Sequence, residues 1–162
     1  NLLSNDTVPV LLTLLARFET IQRVLVMVQL EVAQRLAAGP GSKTYGVPSL
    51  KAAWYADVRL VGTVPRSVFW PVPNVDSGLV ALTRRPPPPG ADAGQTFACI
   101  DAAFAQRRKS LRAALAGWAG GADRSQAILE AVGVDPRTRG EQLGIADFAR
   151  LAAAGRPLAG AS

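Results

Sequence analysis

Residues 23–29 carry the sequence Arg-Val-Leu-Val-Met-Val-Gln, a short run that is almost entirely apolar and rich in β-branched side chains. Such a run is typical of a strand that is buried on both faces of a parallel sheet. Before it, apolar residues recur at helical spacing over residues 8–17, and after it a second helix is predicted over residues 31–38. Helix and strand alternate, which indicates an α/β fold.

The sequence that follows extends this pattern and then changes it. A third helix is predicted over residues 49–56, and two alternating strands are predicted over residues 58–64 and 77–83. An aromatic and proline-rich loop, Phe-Trp-Pro-Val-Pro-Asn-Val-Asp, joins these strands over residues 69–76. Together these elements predict the C-terminal half of a doubly wound, Rossmann-like domain.

A run of four prolines, residues 86–89, followed by Gly90 marks the clearest boundary in the chain. Beyond it no strand pattern survives, and four helices are predicted over residues 96–105, 110–119, 125–132 and 145–154. We therefore expect an α/β part over residues 1–85, a linker over 86–94, a small all-α domain over 95–155 and a tail over 156–162.

The composition of the 162 residues excludes several kinds of chemistry. The chain contains no His, which rules out a Ser-His-Asp triad, a histidine general base and a histidine-ligated metal. Its one Cys, Cys99, rules out a disulfide framework and suits a reducing cytosol. Its apolar runs fall far short of the roughly 20 residues that span a bilayer. We expect no metal site and no membrane partner.

The charge of the chain favours a polyanionic partner, because 18 Lys and Arg against 12 Asp and Glu give a net charge of +6. Four cations, Arg107, Arg108, Lys109 and Arg112, fall at the junction of two predicted helices. On one helix, Arg108 and Arg112 would share a face, a spacing that suits contact with a phosphate backbone. The alternative is a solvated helix end, but the basic composition favours RNA or DNA.

Three loops hold further candidate residues. In the aromatic loop, Trp70 is expected to be buried as a hydrophobic plug at one end of the sheet, and Asp76 is expected to be a turn residue. For Phe69 the sequence leaves two roles open, a buried plug or a platform on which a nucleobase stacks. The amide of Asn1 can both accept from and donate to an amino group, although a loop Asn is more often a turn residue. Lys43 could contact a phosphate, but a loop without a special role is the more common case.

Four segments, in this order, resemble the rRNA adenine N6,N6-dimethyltransferases, the KsgA-type enzymes of the small ribosomal subunit. They are residues 26–36, 43–49, 68–77 and 103–112, and the resemblance runs from residue 1 to about residue 154 in an Ala- and Arg-rich form like that of actinobacteria. It implies an S-adenosylmethionine-binding Rossmann-like domain followed by a helical domain. It also implies a cytoplasmic, monomeric methyltransferase that needs no metal and dimethylates two adjacent adenines of 16S rRNA during ribosome biogenesis.

The resemblance also assigns roles to individual residues. Asn1 and Leu2 match the start of the family's Asn-Leu-Pro-Tyr motif, which holds the target amine, and Asn1 would also border the cofactor. Leu3 and Ser4 depart from the Pro and Tyr of that motif, so Ser4 stands where an aromatic ring would stack on the adenine. Phe69 matches the second aromatic of the adenine clamp. Lys43 and the four cations Arg107, Arg108, Lys109 and Arg112 are the candidate rRNA contacts.

The family's glycine-rich cofactor loop and its ribose- and adenine-binding acids would all precede Asn1. We therefore expect the chain to be the C-terminal part of a longer enzyme, with a degenerate relative as the alternative. Two rival functions remain open at this point. One is a non-catalytic RNA-binding or ribosome-assembly protein, and the other is a large-subunit rRNA methyltransferase of the macrolide-resistance type.

Overall fold

An antiparallel sheet of three strands organises the first part of the chain in a computed structural model, which describes residues 6–156. The chain divides into two units, one up to Pro87 and one from Pro88 onward. The helices and strands of the first unit are α1 Thr7–Arg17, β1 Arg23–Gln29, α2 Leu30–Ala37, α3 Val47–Tyr55, β2 Ala56–Val64 and β3 Ser77–Arg84, with a 3-10 turn at Arg66–Val68.

The strand order is β1-β3-β2, and both pairings are antiparallel, with Val26 and Leu60 opposite Val80 on its two sides. The prediction that residues 23–29 form a strand is confirmed, but its expected environment is wrong for the described residues. There, β1 pairs only with β3, and the side chains of Leu25 and Met27 are 66% and 37% exposed. The run is apolar on both faces, and the described helices cover only one of them.

The covered face of the sheet forms the core of the first unit. Val80 and Leu82 of β3 are completely buried or nearly so, and they cluster with Leu15 of α1 and Leu36 of α2. Helix α2 approaches the sheet so closely that a Cβ atom added at Gly78 would lie 2.5 Å from the Cβ of Ala33. Only glycine leaves room for this packing.

Two consecutive arginines at the end of β3 serve the fold itself. The Arg84 guanidinium donates to the carbonyl oxygens of Leu15 at 2.8 Å and Phe18 at 2.9 Å, which satisfies the C-terminal end of α1. Arg85 donates to the carbonyl oxygen of Ala53 at 2.6 Å, near the end of α3. Part of the positive charge is therefore used to close helix ends.

The described elements of the second unit are helices: α4 Ala93–Ala105, α5 Leu111–Ala114, α6 Ala116–Ala119, α7 Ala122–Ala131 and α8 Ile145–Ala154, with a 3-10 turn at Gly140–Gln142. They bury the side chains of Ile100, Leu129 and Phe148. The single helix predicted over residues 110–119 is wrong, because the structure breaks it at Leu115 into α5 and α6. Over residues 6–156, no helix has the length and apolar character required to cross a membrane.

Candidate functional site

The loop that follows β2 is fastened to the carboxyl end of β1. The carboxylate of Asp76 accepts a hydrogen bond from the backbone N–H of Arg66 at 2.8 Å, and the Arg66 guanidinium donates to the carbonyl oxygen of Asn74 at 3.1 Å. The carbonyl oxygen of Asp76 in turn accepts from the N–H of Leu30, the first residue of α2, at 2.9 Å. Asp76 therefore has the structural role that the sequence suggested.

An open cavity of about 450 Å³ lies beside this fastening. Its described lining comprises Gln29, Leu30, Glu31, Gln34, Arg66, Val75 and Asp76. Two carboxylates and one guanidinium therefore face a space at the end of β1 and the start of α2. In α/β folds, ligands bind beyond the carboxyl ends of strands, which makes this rim the candidate site of the first unit.

Phe69 and Trp70 occupy different environments in the loop above this rim. Phe69 is half-buried, whereas Trp70 is 93% exposed. The prediction that Trp70 is a buried plug is therefore wrong. The plug was expected because tryptophan is large and apolar, but Pro71 and Pro73 follow it and restrict how the loop can fold back on the sheet.

Lys43 lies away from the aromatic loop along helix α2. The loop that contains Lys43 follows the carboxyl end of α2, where the Ser49 hydroxyl donates to the carbonyl oxygen of Arg35 and accepts from the N–H of Gly46. The aromatic loop is fastened to the opposite end, at Leu30. Lys43 itself is exposed. The structure thus attaches these two candidate regions to opposite ends of one helix.

The basic segment of the second unit, residues 106–112, is not one helix. Helix α4 ends at Ala105, a turn covers residues 106–109, and α5 begins at Leu111 with the Ser110 hydroxyl accepting from the N–H of Ala113. The expectation that Arg108 and Arg112 share a helix face is therefore wrong. The turn between the helices separates them.

Two of the four cations in this segment already have partners. Arg107 lies 3.4 Å from the Glu141 carboxylate, and its guanidinium carbon lies 5.8 Å from the centre of the Phe104 ring. Arg112 donates to Gln126 Oε1 at 2.8 Å and to the Asp123 carboxylate at 3.1 Å. Both guanidiniums therefore hold elements of the helical unit together, besides adding positive charge.

The other two cations of the segment, Arg108 and Lys109, are exposed at the turn. Within residues 6–156 neither side chain has a hydrogen-bond or ion-pair partner. An exposed guanidinium and ammonium on adjacent residues are available to an external anion such as a phosphate group. Of the four predicted RNA-contacting cations, Arg107 and Arg112 therefore bind other residues of the helical unit, and the other two are exposed.

Sequence reasoning missed two features that the structure brings together. Arg66 fastens the aromatic loop, and only its proximity to Asn74 and Asp76 in the fold shows this. In the helical unit, a second open cavity of about 440 Å³ is lined in part by Trp118, Arg124 and Arg156. No sequence motif marks either feature, because the participating residues lie far apart along the chain.

Asn1, Leu2 and Ser4 lie outside the described residues. Over residues 6–156, no three His, Cys, Asp or Glu side chains come together in a way that could hold a metal ion. Cys99 is completely buried in α4, and burial raises the pKa of its thiol to about 12.

Comparisons with known proteins extend over most of the chain. The profile of a family described as ribosomal RNA adenine dimethylase matches residues 2–154. The chain is 64% identical to ribosomal RNA small subunit methyltransferase A of Kineococcus radiotolerans, over 94% of this chain and 51% of that protein. It is 63% identical to the protein of the same name from Thermobifida fusca, over 94% of this chain and 53% of that one. The chain thus spans about half the length of these curated relatives.

Two solved structures share the fold. A dimethyladenosine transferase from Plasmodium falciparum superposes with a TM-score of 0.78 at 21% identity, covering 93% of this chain and 63% of that one. The 23S rRNA methyltransferase ErmE superposes with a TM-score of 0.64 at 23% identity, covering 94% of this chain and 62% of that one. At these identities the likeness establishes a common mixed α/β fold, of the kind found in methyltransferases.

Proposed function

The chain belongs to the ribosomal RNA adenine dimethylase family, and from this premise we propose that it serves in the S-adenosylmethionine-dependent N6,N6-dimethylation of two adjacent adenines in 16S rRNA. The observation that carries the proposal is the family match over residues 2–154. The relatives at 64% and 63% identity bear small-subunit names, which favours this substrate over large-subunit rRNA. The site of action is then the cytoplasm, and the active species a monomer.

The two units would have different roles in the reaction. The chain corresponds to the C-terminal portion of its relatives. The first unit would be the C-terminal half of the cofactor-binding domain, and the second unit a helical domain that faces rRNA. The boundary between the units, at Pro87 and Pro88, supports this division.

The rim cavity does not by itself fit the cofactor. The rim cavity at the end of β1 has no glycine among its described lining residues, so it offers no glycine-rich turn to receive a nucleotide-like group. Asn1, which would border the cofactor, lies outside the described residues. We therefore assign the rim and the aromatic loop, rather than the whole first unit, to the RNA side of the reaction.

On the RNA side, each candidate residue has a physical task. The half-buried Phe69 ring would supply one wall for the target adenine, while Asn1 and Leu2 would hold its amine and Ser4 would stand beside it. Holding the amine in line with a methyl donor is the main contribution that such an enzyme makes to the rate.

Positive charge in each unit would bind the RNA backbone. Arg108 and Lys109 would contact phosphates directly, because both are exposed. Arg107 and Arg112 would hold the turn between α4 and α5 in place and add to the positive electrostatic potential of that turn. Lys43 would make a separate contact from the first unit.

The proposal is tested by measuring methyl transfer to rRNA when this chain is combined with the unmatched part of a relative. The 162-residue chain would be mixed with the part of the Kineococcus radiotolerans relative that it does not match, with S-adenosylmethionine and with small ribosomal subunits that lack the modification. Mass spectrometry of the digested rRNA should show N6,N6-dimethyladenosine for the mixture and not for either piece alone.

A retained RNA affinity without any dimethyladenosine, in the mixture or alone, would contradict the methyltransferase proposal. That outcome would favour the non-catalytic RNA-binding alternative. The Kineococcus radiotolerans relative at full length serves as the positive control, because it shows that the subunits used are competent substrates.

A further inference from the structure

Trp70 presents its indole ring almost entirely to solvent. It is 93% exposed, and its neighbours Val68 and Val72 are 64% and 53% exposed. Tryptophan is the largest apolar side chain, and within the chain this one contributes little to the core. Three exposed apolar side chains within five residues of one loop are typical of a surface that binds something else.

The backbone that carries this indole is restrained. The base of the loop is closed by the hydrogen bond from Arg66 N–H to the Asp76 carboxylate and by that from the Arg66 guanidinium to the Asn74 carbonyl oxygen. Pro71 and Pro73 fix their own backbone φ angles. Because the restrained backbone of the loop loses little conformational entropy on binding, little of the stacking free energy of a ligand is offset by ordering the loop.

Trp70 and Phe69 face different sides of the loop. The backbone of Phe69 is extended, with φ −103° and ψ 150°, and successive side chains of an extended backbone point in opposite directions. Their exposures agree with this, since Phe69 is half-buried and Trp70 stands free. Trp70 is therefore a separate stacking surface rather than a second wall for the base that the proposed function places at Phe69.

We propose that Trp70 stacks on an unpaired nucleobase that flanks the target adenines of the RNA substrate. This inference rests on the proposed function, which places one target base at Phe69. Cα atoms of adjacent residues lie about 3.8 Å apart, so a surface beside Phe69 that faces the other way suits the next unstacked nucleotide of the same strand. Aromatic rings accept any base in this way, because every base has a π-face.

The net charge of the chain favours RNA over an apolar partner. The exposed Arg66 lies at the base of the same loop, and the whole chain has a net charge of +6. A nucleotide satisfies both features, because its base covers the indole while its phosphate meets the positive field. Because Glu31 and Asp76 lie near Arg66 at the rim, it is the charge of the whole chain, +6, that favours a nucleotide over a purely apolar partner.

Tryptophan fluorescence tests the proposal directly. Trp54 is buried and Trp118 half-buried, so Trp70 is the most exposed of the three indoles. Titration of the 162-residue chain with a single-stranded RNA that contains two adjacent adenines flanked by uridines should quench its emission. Trp70→Ala should remove that quenching and weaken binding about fivefold or more, whereas Trp70→Phe should keep most of the affinity.

An abasic probe separates stacking from other effects. RNAs with an abasic site at the 5′ or the 3′ flanking nucleotide should bind the unchanged chain more weakly, and at one of these positions Trp70→Ala should add no further loss. Trp118→Phe serves as the matched control and should leave the quenching intact. Thermal unfolding of Trp70→Ala should be unchanged, because the side chain is exposed.

Two results would overturn the proposal. In the first, the chain binds the intact RNA, loses affinity when Arg108 and Lys109 are replaced, and is indifferent to Trp70→Ala; the proposed function would then survive without this inference. In the second, Trp70→Ala abolishes self-association in sedimentation without changing RNA affinity, which would assign the ring to a second copy of the chain. Failure of the proposed function itself would show differently, as absence of dimethyladenosine.

Discussion

The Arg107 guanidinium lies 3.4 Å from the carboxylate of Glu141, a residue more than thirty positions further along the chain. This ion pair fastens the turn after α4 to the 3-10 turn at Gly140–Gln142. Arg112 does the same between α5 and α7 through Asp123 and Gln126. The basic segment therefore combines two cations that hold the turn in place with two that it exposes.

The first prediction concerns the two exposed cations. Replacing Arg108 and Lys109 by Ala together should weaken binding to single-stranded RNA and make its salt dependence shallower. Each lost phosphate contact should reduce the slope of log K against log[salt] by about 0.7. Filter binding or anisotropy between about 50 and 200 mM salt measures this slope.

The matched control removes two positive charges elsewhere. Arg59→Ala combined with Arg137→Ala deletes two exposed guanidiniums that pair with Asp57 and Asp135. If this control flattens the salt dependence as much as the Arg108 and Lys109 pair does, binding depends on net charge and the assignment of a specific contact is wrong.

The second prediction concerns the close approach of α2 to the sheet. Gly78→Ala should lower the free energy of unfolding by roughly 1–3 kcal/mol, the usual cost of overpacking a core, since the new Cβ atom would lie 2.5 Å from that of Ala33. Urea unfolding followed by circular dichroism measures the change. Gly117→Ala is the control, because its Cβ atom meets nothing within 4 Å in helix α6; it should be neutral or stabilising.

The third prediction concerns a buried hydroxyl in α4. Thr96 is completely buried, and within the described residues its Oγ1 has no hydrogen-bond partner. Thr96→Val replaces this hydroxyl by a methyl group of similar size and should raise the free energy of unfolding by about 1 kcal/mol. Thr96→Ser, which keeps the hydroxyl and removes the methyl group, should instead destabilise. A loss of stability in the Val variant would show that the hydroxyl is bonded in solution.

The fourth prediction concerns pH and the Cys99 thiol. Burial raises its pKa from the ordinary 9.0 to about 12, so the unfolded chain releases the thiol proton at lower pH than the folded chain. The stability associated with Cys99 is therefore complete below pH 9 and falls as the pH rises toward 12. One pH unit above the ordinary pKa corresponds to about 1.4 kcal/mol.

Urea unfolding at pH 8 and pH 10 provides the measurement for Cys99. The unchanged chain should lose about 1 kcal/mol more over this interval than Cys99→Ala does. The native thiol should also react with a thiol reagent only on unfolding. Rapid labelling of the folded chain, or equal pH dependence in the two proteins, would contradict the buried state of the thiol.

The local pattern along the chain could be predicted because it depends on neighbouring residues. The strand at Arg23–Gln29 was predicted at its observed bounds, and the helices over residues 8–17 and 145–154 agree with α1 and α8 within a residue. The break at Leu115 was not predicted. In the sequence from Ser110 to Ala119 the one poor helix former is Gly117, so intrinsic helix propensity does not mark a break at Leu115.

In the candidate site, too, the local motifs could be predicted and the contacts of their side chains could not. The aromatic loop and the basic segment are visible as short motifs, and the family follows from their order. The burial and partners of each side chain cannot be predicted from the motif. Trp70 was expected to be buried and is exposed, and the ion pairs of Arg107 with Glu141 and of Arg112 with Asp123 were not predicted. The contact of these two arginines with RNA stays a prediction. Burial and pairing depend on residues that are distant in sequence.

The sequence by itself determined the alternation of helix and strand, the boundary near Pro86, the exclusion of histidine chemistry and the family. All of these depend on local composition or on the order of motifs. The tertiary structure alone decided that β1 pairs antiparallel with β3, that Gly78 must lack a side chain, and which cations are exposed at the surface. Those properties depend on which atoms meet across the fold, because hydrogen bonds, steric exclusion and ion pairs act over a few ångströms in space, however far apart their residues lie in the chain.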